Sequence, residues 1–364
     1  MKLSDVCTKG TSNIAQKDLD ARNGCYPIYG ASGFIKNVDF YHQEKPYIAL
    51  VKDGAGVGRV MQLPAKSSVI GTMQYIMPNE GVSVEYLAYA LEHMNLSKYY
   101  LGAAIPHIYF KDYCSETLPN HTPEEQAHIS HVLGLVSNLI FLRKQQLAKL
   151  DELVKSRFIE MFVTANNVSD WMQITIADVS TDMRTGPFGS ALHHDEFVDS
   201  GVFVLGIDNA VENKFSYNRM RYITEEKYRQ LKRYTVYPGD VIITIMGTVG
   251  RSAVIPQDMP KSINTKHLAC ITPNTAMIDS TFLSSAFQMH PAIRLQLQNQ
   301  CKGAIMDGLN LTIIKGLRFA LPPIDSQQEF AAFVEQIDKS KFEIQNSLEK
   351  LEMLKKALMQ KYFG

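Results

Sequence analysis

Two long amphipathic segments, each introduced by the same short motif, dominate the organisation of this 364-residue chain. The motifs read LPNHTPEEQA (118–127) and LPPIDSQQEF (321–330), and a shift of 203 residues aligns their Leu-Pro pairs. Residues 122–125 (TPEE) are typical of a helix N-cap with a capping box and proline at the first helical position. Residues 325–328 (DSQQ) are a looser version, with the cap at Asp325. Two equivalent helix starts indicate an internal duplication.

Both segments carry the apolar seam of a coiled coil. Beyond the caps the best shift becomes 201, which puts a two-residue slip in the first turns, and apolar residues then recur at steps of mostly three and four. The predicted seam consists of Leu133, Val136, Ile140, Leu147, Leu150 and Val154 in the first helix and Val334, Ile337, Ile344, Leu348, Leu351 and Leu358 in the second. Arg143, Lys341 and Lys355 fall at or beside it, so we expect them to meet carboxylates or to be exposed towards a partner.

The length of the two helices predicts that they pair with each other. Each covers about 38 residues, or roughly 57 Å, so it must pack on another long helix or bridge two bodies. We expect an antiparallel coiled coil. The alternative is that each helix separately lines a domain core.

The regions in front of the helices echo each other more faintly. Residues 56–59 (GVGR) resemble residues 248–251 (TVGR), and Ile108 falls on Leu311.

The fold class predicted is a duplicated α/β (α+β) chain of pseudo-two-fold architecture. Its predicted parts are a first globular domain at 1–121, a central helix at 122–163, a polar joint at 164–170, a second globular domain at 171–323 and a C-terminal helix at 324–364. Two different globules at a fixed separation suit a bipartite ligand, and DNA is the obvious polymer because its surface repeats regularly.

Several motifs, taken in order, carry a family resemblance. They are YPIYGASG (26–33), DGAGVGRV (53–60), GPFGSALHHDEF (186–197), YTVYPGDVIITIMGTVGRSAVI (234–255) and both helix starts. Over essentially its whole length the chain resembles the specificity subunit of type I restriction–modification enzymes.

The resemblance implies a DNA-reading role without catalysis. Each globule would be a target recognition domain on one half of an asymmetric bipartite site in double-stranded DNA, and the helix pair would set the gap. The outer faces of the helices would bind modification (methyltransferase) subunits, expected in two copies, which would hold the S-adenosylmethionine. Restriction or motor subunits would cleave. This chain would carry no cofactor, no metal and no catalytic residue.

Composition limits where such a DNA surface lies. The chain has 37 Lys and Arg against 37 Asp and Glu, so a basic surface must be local. No stretch approaches the length of a membrane span, and the five cysteines are scattered without a C-x-x-C pair, which suits a reducing cytoplasm and argues against structural zinc.

The candidate DNA-contacting residues are polar, aromatic or basic side chains in both globules. They are Tyr29, Ser32, Lys36, Lys52, Arg59, Lys111, Arg184, Ser190, His193, Arg219, Arg221, Arg251, Lys266 and His267. Residues 47–58 (YIALVKDGAGVG) lack the third glycine of a dinucleotide-binding fingerprint, so they predict a tight strand–turn–strand that brings backbone amides and Arg59 to a DNA backbone. Residues 218–234 interleave arginines and lysines with tyrosines, which fits either phosphate contact or a surface helix whose tyrosines face the core.

Enzymatic interpretations fit less well. The only Pro-Pro pair, at 322–323, lacks the polar residue before it and the aromatic residue after it that amino-methyltransferases use. The E-x-K triplet at 225–227 lies in a segment of helical composition capped by a threonine, whereas nucleases place it on a strand. A non-enzymatic alternative remains, in which the helices form a coiled-coil structural module and the globules bind protein.

Overall fold

A computed structural model of the chain describes residues 1–102, 106–166, 168–188, 191–301 and 309–364. The described chain forms two compact units. Unit 1 comprises Met1–Gln145 and Ile344–Gly364, and unit 2 comprises Gln146–Glu343. The two long helices, α4 (Pro123–Phe162) and α9 (Ile324–Phe363), each contribute residues to both units.

The globular part of unit 1 is built on short strands. They are β1 (Cys7–Thr11), β2 (Tyr26–Gly30), β3 (Gly33–Val38), β4 (Tyr47–Val51), β5 (Val60–Leu63), β6 (Ser68–Val69) and β7 (Met73–Pro78). The shorter helices are α1 (Leu3–Val6), α2 (Val84–Met94) and α3 (Phe110–Tyr113).

Unit 2 has a longer set of elements. Its strands are β8 (Gln173–Thr175), β9 (Ser180–Thr185), β10 (Val202–Leu205), β11 (Tyr222–Ile223), β12 (Thr235–Val236), β13 (Val241–Thr244), β14 (Ser252–Val254), β15 (Ser262–Asn264), β16 (Leu268–Pro273) and β17 (Arg318–Ala320). Its shorter helices are α5 (Glu225–Leu231), α6 (Ser280–Met289), α7 (Pro291–Cys301) and α8 (Leu311–Gly316).

The two units repeat one sheet topology. The main sheet of unit 1 has the order β1-β7-β4-β5 and that of unit 2 the order β9-β16-β13-β14, with antiparallel pairing throughout. The second sheet has the order β3-β2-β6 in unit 1 and β11-β10-β15-β12 in unit 2, and its β2–β6 and β10–β15 pairs are parallel. The duplication predicted from the helices therefore extends into the globules, where the sequences have diverged.

The main sheet is buried on both faces, which explains the unbroken apolar run of its central strands. In β4, Ile48 and Leu50 pack in a cluster with α2, whereas Tyr47, Ala49 and Val51 pack in a cluster with the second sheet. In β13 the alternation is the same, with one face towards α6 and the other towards β10. Each globule is thus a layered α/β body, as predicted.

The predicted pair of long helices is confirmed, and each has 40 residues. The capping box at the start of α4 is also confirmed, because the Thr122 N–H donates to Glu125 Oε2 over 2.8 Å and the Glu125 N–H donates to Thr122 Oγ1 over 3.3 Å.

The expected cap at Asp325 is wrong. Helix α9 already begins at Ile324, and the Gln327 N–H donates to the Pro323 carbonyl just as the Gln126 N–H donates to the Thr122 carbonyl. The shift of 201 therefore holds from the first turn. The two-residue slip lies before the helix, in the segment after each Leu-Pro pair.

In unit 1 the two long helices run antiparallel. Ile129 and Leu133 share a buried cluster with Met359, near the end of α9. Further along α4, Lys144 Nζ lies 2.8 Å from Glu352 Oε1, which comes earlier in α9. Lys355, which the sequence placed at the seam, pairs with Glu92 of α2 at 2.8 Å.

In unit 2 the helices are antiparallel as well. Asp151 contacts Lys341, and further along α4 the guanidinium of Arg157 lies 2.7 Å from Glu329 of α9. The rings of Phe158 and Phe330 pack edge to face, with centroids 5.5 Å apart. Every predicted seam residue is buried or half-buried, and both seam lysines meet carboxylates. Within the described ranges, no helix has an apolar stretch long enough to cross a membrane.

Candidate nucleic-acid interface

Two parallel strands of unit 2 end at the same edge of their sheet. Strand β10 pairs with β15 in parallel, so the loops that follow them leave from neighbouring positions. The Thr265 N–H donates to the Leu205 carbonyl over 2.9 Å, which ties the start of the second loop to the end of β10. The loop after β13 joins them, because a Cβ placed on Gly247 would lie 3.7 Å from Ile207 Cδ1. We call this convergence of residues 206–221, 245–250 and 265–267 the unit 2 loop edge.

Basic side chains concentrate at the unit 2 loop edge. Arg221 forms an ion pair with Asp208, and Arg219 Nη1 lies 3.9 Å from the same carboxylate. The Arg219 side chain is 76% exposed, and its backbone has φ of +55°, a strained conformation that is common at ligand sites. Lys266 is exposed and His267 is half-buried. Four of the candidates predicted from the sequence are therefore brought together here, and two of them, Arg219 and Arg221, lie beside Asp208.

The protonation state of His267 follows from its surroundings. Burial, then the positive charges of Lys266 and Arg221, lower the pKa of His267 below its usual value. The ring is therefore neutral at pH 7, with one donor and one acceptor nitrogen. A negatively charged ligand beside Lys266 would oppose those charges and raise the pKa of His267 again.

Unit 1 builds the corresponding loop with the same backbone hydrogen bonds. The Val51 N–H donates to the Arg59 carbonyl at one end of the turn, and the Gly58 N–H donates back to the Val51 carbonyl. In unit 2 the Thr244 N–H donates to the Arg251 carbonyl, and the Gly250 N–H donates to the Thr244 carbonyl. The predicted strand–turn–strand is confirmed in both halves.

Glycine is required where each turn returns to its strand. Gly58 has φ of +85° and Gly250 has φ of +82°, in the left-handed region that side chains disfavour. A Cβ on Gly58 would also lie 2.6 Å from the Ser97 backbone nitrogen. The similarity between residues 56–59 (GVGR) and 248–251 (TVGR) therefore reflects a shared backbone geometry.

One further backbone hydrogen bond in each unit corrects the predicted equivalence of Ile108 and Leu311. The Ile108 N–H donates to the Lys52 carbonyl, and the Leu309 N–H donates to the Ile245 carbonyl. The structural partner of Ile108 is thus Leu309, at a shift of 201, and the expected match with Leu311 is wrong. The error came from carrying the Leu-Pro shift of 203 backwards into the globule.

The unit 1 loop edge, residues 52–59 with 106–111, also carries charge. Lys52 Nζ lies 3.8 Å from Asp53 Oδ2, and His107 Nδ1 contacts the other oxygen of Asp53. The rings of His107 and Tyr109 lie 4.1 Å apart, and Lys111 Nζ lies 5.3 Å from the Tyr109 ring centroid. Tyr109 is 48% exposed, so a flat apolar ring sits between basic groups at the surface.

Three members of this edge were not predicted from the sequence: Asp53, His107 and Tyr109. Asp53 could have been predicted, because it is the second residue after the buried strand β4. His107 and Tyr109 had none, because a distant segment returns to the loop only through tertiary hydrogen bonds, such as that from the Gly54 N–H to the Pro106 carbonyl.

Other unit 1 candidates lie apart from this edge or are held internally. Lys36 Nζ donates to the Leu19 carbonyl and to Asn23 Oδ1, so it is engaged within another loop. Arg59 is exposed but donates to the Ala31 carbonyl over 2.9 Å, which ties its turn to the β2–β3 turn. That second turn carries Ser32, which is exposed, and follows the half-buried Tyr29.

Arg184 of unit 2 is a structural residue. It bridges Asp182 at 2.7 Å and the buried Asp240 at 2.6 Å, donates to the Thr235 carbonyl, and its side chain is only 10% exposed. Removal of such a buried charge partner is strongly destabilising. We therefore leave Arg184 out of the candidate interface.

The remaining unit 2 candidates are scattered. Arg251 is exposed beside Asn213 and Arg294 in a surface cleft, and His193 is exposed at the N-cap of a short 3₁₀ helix. Ser190 lies outside the described residues.

The basic segment 218–234 divides into two parts. Its end is helix α5, capped by Thr224 as predicted, and Tyr228 and Tyr234 pack against a buried cluster. That part is a surface helix with core-facing tyrosines. Its beginning holds Arg219 and Arg221, which belong to the loop edge.

Among the described residues, no group of three or more His, Cys, Asp or Glu side chains is placed to hold a metal ion.

Sequence comparison connects this architecture with a known family. The family described as type I restriction modification DNA specificity domain matches residues 1–152 and, a second time, residues 169–355. The chain belongs to this family. Each match contains one globule and most of the helix that follows it, in agreement with the duplicated sheet topology.

The relatives are distant. The type I restriction enzyme EcoBI specificity subunit of Escherichia coli is 25% identical over 198 residues, which is 53% of this chain and 41% of that protein, less than half of its length. The MjaVIII specificity subunit of Methanocaldococcus jannaschii is 22% identical over 351 residues, which is 90% of this chain and 81% of that protein.

Solved structures show the same fold. The S subunit of a type I restriction–modification system from M. genitalium superposes with a TM-score of 0.66 at 14% identity, over all of this chain and 95% of the other. A chain from a structural study of type I complex assembly and conformational transition gives 0.55 at 14% identity, over all of this chain and 96% of the other.

Proposed function

We propose that this chain is the DNA-reading subunit of a type I restriction–modification complex. Each recognition domain reads one half of an asymmetric bipartite site, and the antiparallel helix pair sets the gap between the halves. The observation that carries the proposal is the family match to both halves of the chain, each with a basic loop edge on the same backbone scaffold.

The unit 2 loop edge supplies both kinds of group that DNA recognition needs. Arg219 and Lys266 are exposed cations suited to phosphate oxygens, which give affinity without sequence information. His267 and the Arg221–Asp208 pair present directional donors and acceptors, which suit the edges of bases.

The unit 1 loop edge offers a different set for a different half-site. Lys52 and Lys111 are its cations, and the Asp53–His107 pair is its directional group. Tyr109 adds an exposed ring for apolar contact. The two edges differ in chemistry although they share a scaffold, which supports two unlike half-sites.

Exposed apolar side chains on the helices support binding of a repeated partner. Phe141 is 56% exposed and its equivalent at a shift of 201, Phe342, is 68% exposed. Leu153 and its equivalent Leu354 are 47% and 46% exposed. Large apolar groups exposed at the same two positions of each repeat suit two copies of one protein. We assign these positions to two modification subunits, which hold the S-adenosylmethionine and transfer the methyl groups.

The complex proposed also includes restriction or motor subunits and acts in the cytoplasm. This chain carries no catalytic step and no cofactor in it. In the alternative function, as a coiled-coil interaction module, basic side chains have no reason to collect at the same loop edge of both globules.

The test is methylation mapping in a host that lacks other modification systems. We expect cells that express this chain with its modification subunit to carry methylation at one bipartite sequence, and cells that express the modification subunit alone to carry none. Identical methylation in both strains would refute the proposal. A second strain with Lys266→Ala and Arg219→Ala should lose methylation. The control Lys45→Ala should keep it, because Lys45 is an exposed lysine before β4, at the opposite end of that strand from the unit 1 loop edge.

A further inference from the structure

Each long helix buries one glutamine in its first turn, at the same position of the repeat. Gln126 is 5% exposed and Gln327 is fully buried. A shift of 201 relates them, the shift that the hydrogen bonds at the helix starts establish. Glutamine is seldom buried unless its amide is satisfied, so two equivalent buried glutamines indicate a specific role.

The Gln126 amide joins its helix to a helix of the globule. Its Oε1 accepts the backbone N–H of Ser83 over 3.1 Å. Its Nε2 donates to the carbonyl of His121, just before α4, over 3.0 Å. Ser83 is the N-cap of α2, and its hydroxyl accepts the N–H of Tyr86.

Gln327 repeats this arrangement in unit 2. Its Oε1 accepts the backbone N–H of Asp279, the N-cap of α6, over 2.9 Å. Its Nε2 donates to the Pro322 carbonyl over 2.8 Å and to the Met277 carbonyl over 3.1 Å. The same three parts therefore meet in both units: the long helix, the chain before it and the first turn of the globule's helix.

The sequences of α2 and α6 explain why the acceptor for the N-cap N–H comes from another helix. In a capping box, a Glu or Gln three residues after the N-cap accepts the N–H of the N-cap. Here that position holds Tyr86 in α2 and Phe282 in α6. Neither side chain accepts that bond, and both rings instead pack against the long helices.

We propose that Gln126 and Gln327 are positioning residues that fix the angle between each recognition domain and its long helix, and thereby hold the gap of the bipartite site to one length. Aromatic packing alone allows the tilt of a helix end to change, whereas an amide with two directional hydrogen bonds to two different segments restricts it. The inference rests on the proposed function, because it concerns how the two half-sites are kept in register.

The test uses the complex of this chain with its modification subunits and a set of DNA sites that differ only in gap length, from two base pairs shorter to two longer. Gln126→Met removes both bonds at nearly constant volume. Gln126→Asn is made in parallel, since it stays polar but is one methylene too short to bridge Ser83 and His121. Gln74→Met is the matched control, because Gln74 is a buried glutamine of the same unit that is bonded to Tyr113 away from the joint.

The quantity compared is the ratio of methylation at the preferred gap to methylation at the other gaps. We expect this gap ratio to be the same in wild type and Gln74→Met, even if Gln74→Met lowers the melting temperature. In each Gln126 variant that folds, that ratio should fall by about tenfold, the factor that corresponds to the loss of two buried hydrogen bonds. Gln327→Met should do the same. The bases read in both half-sites should stay unchanged.

An unchanged gap ratio in the Gln126 and Gln327 variants, with methylation merely reduced at every gap, would overturn the inference and leave the proposed function intact. Absence of sequence-specific methylation by the wild-type complex would instead refute the proposed function.

Discussion

Lengthening both long helices should lengthen the gap of the methylated site. Lys144 and Glu352 pair across the antiparallel helices, so the position after Leu142 faces the position after Met353. A Glu-Leu-Lys-Ala tetrapeptide inserted at both points keeps the pairs in register and places its leucine on the seam. Four residues add about 6 Å and about 40° of helix rotation. Since DNA rises 3.4 Å per base pair, about 6 Å corresponds to about two base pairs.

The assay is methylation mapping of the folded insertion variant, with circular dichroism to confirm that helix content has risen. We expect both half-sites to be unchanged and the gap between them to be one or two base pairs longer. Two controls isolate the helices. The same tetrapeptide between Ala165 and Asn166, after α4 has ended, should leave the gap unchanged, and insertion in α4 alone should destabilise the pair because its register is lost. An unchanged gap in the doubly extended variant would show that the spacing is set elsewhere, for example by the modification subunits.

Three further predictions concern the seam and the unit 2 loop edge. Leu147→Asp combined with Leu348→Asp should cost about 3 kcal/mol or more of unfolding free energy, because each places an unpaired carboxylate in an apolar seam, and a normal denaturation midpoint would contradict the seam assignment. Lys266→Ala should reduce the slope of log DNA affinity against log salt concentration by about one, measured by fluorescence anisotropy, whereas the control Lys45→Ala should not. DNA affinity should rise as pH falls from 7.5 towards 6, by at most about tenfold per pH unit. The reason is that His267 is neutral in the free protein and takes up a proton when phosphate lies beside it. An equal pH dependence in His267→Gln would show that His267 is not the group that takes up the proton.

The long helices were predictable because their signals are local and repeated. The capping box at Thr122 and a seam spaced by three and four residues are readable without tertiary knowledge, and both are present in the structure. The exact start of α9 was not readable. Two different shifts, 203 at the Leu-Pro pair and 201 in the helix, made Asp325 look like a cap.

That local error hid the buried glutamines. With the slip placed inside the first turns, Gln126 had no counterpart, although the correct shift pairs it with Gln327. Their partners are the backbone N–H groups of Ser83 and Asp279, and no side-chain pattern marks a backbone donor.

The DNA candidates were predictable in type but not in place. The sequence does not show whether an arginine faces solvent or pairs internally, so Arg184 could not be distinguished from Arg219 until Asp240 was seen beside it. His107 joins the unit 1 loop edge through a long-range contact with Asp53, which sequence periodicity does not report.

Exchange of one recognition domain tests the central claim most directly. Residues 1–121 are replaced by the corresponding globule of another family member, and methylation is mapped by sequencing in cells that also express the modification subunit. Two independent readers on one helix pair predict a new sequence in one half-site, with the other half-site and the gap unchanged. A change in both half-sites, or no change in either, would contradict the account.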